Sequence, residues 1–74
     1  MGIVEDLADS LAKDTLDVSS RTHNDDLVKE VSEILGASSI TTQEAFLTAI
    51  RVRRAEARAR AFLAEKTAQH DASG

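Results

Sequence analysis

Apolar side chains recur at helical spacing in three stretches of this chain. Val4, Leu7, Ala8 and Leu11 lie three and four residues apart, with Glu5, Asp6 and Asp9 on the other side. That spacing predicts an amphipathic helix over residues 2–14. From residue 15 to residue 24 the pattern fails. Thr15, Val18, Ser19, Ser20 and Thr22 are β-branched or bond to their own backbone, which weakens a helix and predicts a loop or a short extended piece. The second helix has the clearest pattern. Leu27, Val28, Val31, Ile34 and Leu35 form one stripe, Lys29, Glu30, Ser32 and Glu33 face water, Asn24 or Asp25 caps the start and Gly36 closes the end. Residues 37–40 then read as a short connector, with Ile40 packing back against the start of the third helix.

The third stretch, residues 41–68, holds no Gly and no Pro, is rich in Ala and carries five Arg. It opens on Thr41-Thr42-Gln43-Glu44, a capping-box pattern. Its residues are strong helix formers, so one helix of about 27 residues and roughly 40 Å is expected, far above the usual length of about 11–12 residues. On a helical wheel it has two apolar sectors. Ala45, Ala49, Val52, Ala59 and Leu63 form one; Phe46, Ile50, Ala57, Ala61 and Ala64 form the other. Two sectors call for two packing partners, one within the chain and one outside it. The candidate partner or dimer interface is therefore Ala45, Ala49, Val52, Ala59 and Leu63 with Phe46 and Ile50. Residues 69–74 are polar and read as a disordered tail.

The expected fold is all-α. Two short helices and one long C-terminal helix make a single small domain over residues 1–74, a helical bundle completed by dimerisation. Length sharpens this expectation, because 74 residues with no Cys make a marginal core, worth about 3–5 kcal/mol, without disulfide or thiolate-metal staples. Oligomerisation is the remaining way to add buried surface. The only aromatic residues are Phe46 and Phe62, which suits close helix packing and not a ring-lined ligand pocket. No apolar run reaches the ~18–20 residues that span a membrane, and the first residues carry acids where a targeting signal carries bases. The expected setting is cytoplasmic, with no membrane partner.

Charge is unevenly spread within the net −4. Residues 1–36 hold nine acidic and three basic side chains, and residues 37–74 hold four acidic and six basic ones. The long helix is thus a basic element beside an acidic half. Arg51, Arg54 and Arg58 share one face of it. They form a possible anion or acidic-partner face, or a solvated face paired with the chain's own acids. The acidic overall charge and the lack of aromatics among these Arg residues argue against nucleic acid.

Catalytic chemistry is sparse. His23 and His70 have no metal-ligand spacing to each other or to Cys. Glu5-Asp6 and Asp25-Asp26 are sequence neighbours that read as first-turn and cap residues, not as an acid–base pair. The three Gly, at 2, 36 and 74, form no phosphate loop. A non-enzyme is expected, with no cofactor, no metal and no small-molecule substrate.

Residues 15–54 resemble, in part, a ribbon-helix-helix regulator of the antitoxin kind. Thr15-Leu16-Asp17-Val18-Ser19 matches the short strand, Gly36-Ala37-Ser38 the Gly-x-Ser turn, and Gln43 to Ile50 the start of the second helix. The resemblance implies a dimer that pairs strands in the DNA major groove, with Thr15, Asp17 and Ser19 facing the bases, and a C-terminal extension that clamps a toxin. The strand carries an Asp and no Arg or Lys at those three positions, which is poor for DNA. The residues themselves favour a small regulatory or scaffold protein that packs helices with a protein partner, as a homodimer. The alternative is a DNA-binding ribbon-helix-helix regulator.

Overall fold

The computed structural model describes residues 2–73. It contains three helices: α1 (Ile3–Thr22), α2 (Leu27–Ser38) and α3 (Ile40–Ser73). No strand occurs among the described residues.

Helix α1 is longer than its sequence suggests. The expected loop or strand over residues 15–23 is corrected to helix as far as Thr22, and the strand implied at residues 15–19 is not formed. The reason lies in the side chains that were expected to break it. Thr15 Oγ1 donates to the Leu11 carbonyl at 2.7 Å, and Thr22 Oγ1 donates to the Val18 carbonyl at 2.7 Å. A hydroxyl bonded back one turn is satisfied inside a helix. Asp17 pairs with Arg21 one turn on, at 3.0 Å, and Ser19 Oγ donates to the Asn24 carbonyl beyond the helix end. Thr15, Asp17 and Ser19 are thus committed to intrachain bonds. Tertiary burial adds to this, since Ala8, Ala12 and Thr15 continue one buried stripe down α1.

His23 ends α1 in a left-handed conformation, with φ 55°. Its own N–H and that of Asn24 both reach the Ser19 carbonyl, closing the helix as such caps do. Asn24 then turns the chain into α2, its Oδ1 accepting from the Asp26 N–H at 3.1 Å. Asp26 is the N-cap residue, but its side chain makes no capping bond.

Gly36 does not close α2. The helix runs on to Ser38, and no glycine among the described residues has a positive φ. Gly36 is instead a point of close approach. A Cβ there would lie 2.5 Å from Gln43 Nε2, and that nitrogen donates to the Ser32 carbonyl at 3.0 Å and to Ser32 Oγ at 3.3 Å. Ser32 is accordingly buried against α3 where the apolar stripe placed it in water, and Ile34 is exposed. The start of α3 also shifts. Ser39 is its cap, accepting from the Thr42 N–H at 3.1 Å and sharing a hydroxyl–hydroxyl bond with Thr42 at 2.9 Å. The expected Thr41 capping box lies inside the helix. Ile40, the first residue of α3, is exposed and does not pack back.

The core is small. Ala8 and Ala12 from α1, Val28 from α2, and Phe46 and Ile50 from α3 are buried, and Leu11, Leu16, Val31, Leu35, Ala45, Leu47 and Ala49 pack around them. Ala8 and Ala12 have the smallest apolar side chains, which lets α1 approach α3 closely enough to enclose Phe46. The Cα envelope measures 54 × 30 × 13 Å. Its long dimension is close to the roughly 51 Å expected for 34 helical residues at about 1.5 Å each.

Candidate functional site

The two ends of α3 have different surroundings. Up to Arg53 the helix is packed on α1 and α2. From residue 54 to residue 71 every residue is exposed. The boundary is an ion pair. Arg53 follows Phe46 and Ile50 down the same face, and its Nε and Nη2 donate to the two carboxylate oxygens of Asp9 at 2.7 and 2.9 Å. Beyond it the core face continues as Ala57, Ala61, Ala64 and Ala68, with nothing from α1 or α2 covering it. Helix α1 has 20 residues and α2 has 12, too few to follow α3 to its end.

This divides the expected interface residues. Phe46 and Ile50 are 0% and 2% exposed, so they belong to the chain's own core and are corrected out of any partner surface. Ala45 and Ala49 are half-buried beside that core. Val52 (62% exposed) and Leu63 (60%) stand open, with Ala59 exposed on the same side. Of the two apolar sectors, the bulky one serves the fold as far as Ile50, and the other faces outward.

Phe62 is also open, at 56% exposure, and Lys66 Nζ sits 5.5 Å from its ring centre, within cation–π range. Glu56 Oε2 accepts from Arg60 Nε at 2.8 Å. Arg51, Arg54 and Arg58 are exposed and make no ion pair among the described residues. The tie between the basic helix and the acidic half is made by Arg53, not by that trio. The signal for Arg53 was its wheel position, three residues past Ile50 on the core face.

Sequence reasoning missed other exposed apolar side chains. Ile3, Leu7 and Val18 of α1 and Ile34 of α2 are open to solvent. A polar depression lined by Asn24, Asp26, Lys29, Glu30 and Glu33 lies where α1 turns into α2, with Asn24 Nδ2 donating to Glu30 at 3.2 Å. No group of three His, Cys, Asp or Glu among the described residues is placed to hold a metal ion. No helix among them is long and apolar enough to cross a membrane.

The Asp9–Arg53 pair makes stability depend on pH. Hydrogen bonding to Arg53 holds the Asp9 carboxyl below the usual carboxylate range, against a smaller opposing effect of desolvation. A depressed folded-state pKa adds stability above the unfolded value of about 3.9. That stability is lost as pH falls through the lower folded value. Asp9→Asn is expected to leave the melting temperature less sensitive to acid below about pH 4, as read from thermal melts across a pH series. An acid limb as steep as that of the parent chain would contradict the pairing.

No family model, no curated protein and no solved structure matches this chain.

Proposed function

We propose that this chain is a small non-enzymatic regulatory or scaffold protein that acts by helix packing, as a homodimer joined through the distal half of α3. One observation carries this reading. Residues 54–71 form a helix in which every residue is exposed, and the segment displays Phe62 and Leu63 at more than half exposure. Helices in proteins draw most of their stability from packing an apolar face. An arm of this length with large apolar side chains is therefore best stabilised by another helix. A dimer also adds the buried surface that a core of five apolar residues does not supply.

Sedimentation equilibrium of the full chain tests this reading. The expected result is a reversible monomer–dimer equilibrium that favours the dimer at about 100 µM. A monomer at that concentration, with full helicity and a cooperative melt, would contradict it.

A further inference from the structure

Four exposed residues on distal α3 share one face, and their order has a direction. Glu56, Ala59, Leu63 and Lys66 are spaced three, four and three residues apart. They therefore fall within one stripe less than a quarter of the helix circumference wide. All four are exposed, and none is covered by α1 or α2. Two such helices laid side by side in the same direction would set Glu56 against Glu56 and Lys66 against Lys66. Laid in opposite directions, they set Glu56 against Lys66 and Ala59 against Leu63, because both pairs have the same midpoint at position 61. Small against large fills the seam, and opposite charges close both of its ends.

We propose that a second copy of this chain docks antiparallel along residues 56–66 of α3, about a two-fold axis that crosses the seam level with position 61. The proposal rests on reading distal α3 as the homodimer surface, and adds its direction and register. Charge complementarity selects the occupant. Each copy offers one acid and one base on the stripe, so a reversed copy pairs both, twice. The intrachain bonds leave room for this. Glu56 uses Oε2 for Arg60, and its Oε1 has no donor among the described residues. Lys66 rests over the exposed Phe62 ring and forms no ion pair among the described residues. Phe62 lies one residue from the axis, so the two Phe62 side chains flank it within a turn of each other. Arg51, Arg54 and Arg58 lie on the other side of the helix and stay in water.

The test is a charge-swap set in the full chain, read by sedimentation. Glu56→Lys and Lys66→Glu each turn two attractions into two repulsions. Each variant alone is expected to dimerise about tenfold more weakly than the parent. The double variant Glu56→Lys/Lys66→Glu is expected to return to within about threefold of the parent. An equal mixture of the two single variants is expected to form the mixed dimer. Singles that dimerise as well as the parent would overturn the antiparallel register while leaving the homodimer intact. A parent chain that stays monomeric would overturn both.

A second measurement reads direction without altering these charges. The chain has no Cys, so Ala68→Cys carries a single spin label. Residue 68 lies on the far side of each helix from the seam, so a parallel pair sets the two Cβ atoms about 15 Å apart, whereas the antiparallel register adds an axial offset of about 21 Å and sets them about 26 Å apart. The shorter distance would overturn the proposal.

Discussion

Phe46→Ala is expected to abolish the cooperative fold. Phe46 is the bulkiest buried side chain, with no exposed surface, enclosed with Ile50, Ala8, Ala12 and Val28. Truncating a buried Phe costs about 3–5 kcal/mol, from lost transfer free energy and from the cavity left behind. A core of this size supplies only about 3–5 kcal/mol in all, so the variant has no stability left. Relief by collapse is limited, because Ala8 and Ala12 on the facing helix have nothing to move into the gap. Circular dichroism during a thermal melt is the check, and the expected trace has no sigmoidal transition. Phe62→Ala is the control within the same helix. Phe62 is exposed, so its loss is expected to change monomer stability by no more than about 0.5 kcal/mol. A cooperative melt for Phe46→Ala close to that of Phe62→Ala would show that the described core is not what holds the chain together.

Leu63→Glu is expected to separate folding from association. Leu63 is open in the monomer, and Leu and Glu have similar helix propensity, so the melt at low concentration should barely move. In a helix–helix seam the same change removes about 1.5–3 kcal/mol of apolar burial and brings in a carboxylate without a partner. Dimerisation should weaken by about a hundredfold or more. Sedimentation beside dilute-solution melts checks both halves of this expectation. Unchanged dimerisation would remove distal α3 from the interface, and a large fall in the dilute melt would show that Leu63 supports the monomer.

How far the fold could be read from the sequence depended on what each residue's local preference competed with. The existence of helix α2 and the unbroken run of α3 were legible, because periodicity and propensity agree there, but the α2 stripe was misplaced at Ser32, which is buried, and at Ile34, which is exposed. Residues 15–22 were not, because hydroxyl and β-branched side chains weaken a free helix but are satisfied in this one by the carbonyls of Leu11 and Val18. Gly36 misled in a similar way. A Gly near a helix end usually marks the stop, but this one makes room for Gln43. The cap of α3 moved from Thr41 to Ser39 because α2 ends only one residue before α3 begins, and Ser39 serves both helices, its N–H reaching the Leu35 carbonyl and its Oγ the Thr42 N–H.

The outward surface was half legible. Periodicity showed two apolar sectors on α3 but does not say which one the chain covers itself. Side-chain volume decides. Phe46 and Ile50 fill the space beside two Ala on α1, and Val52 and Leu63 are left outside. The division of α3 at Arg53 was hidden, because it depends on where Asp9 lies in a helix packed against it.

Amide hydrogen exchange along α3, followed as protein concentration rises, tests the central claim most directly. A solvent-exposed arm opens at little cost, whereas amides in the packed segment exchange through far larger openings. At about 1 µM, residues 54–71 are expected to exchange at nearly unprotected rates while residues 43–50 stay protected. At several hundred micromolar, protection across residues 54–71 should rise by about tenfold or more as a partner helix covers it. Protection in that segment that does not change with concentration would contradict the claim that distal α3 is where this protein meets another helix.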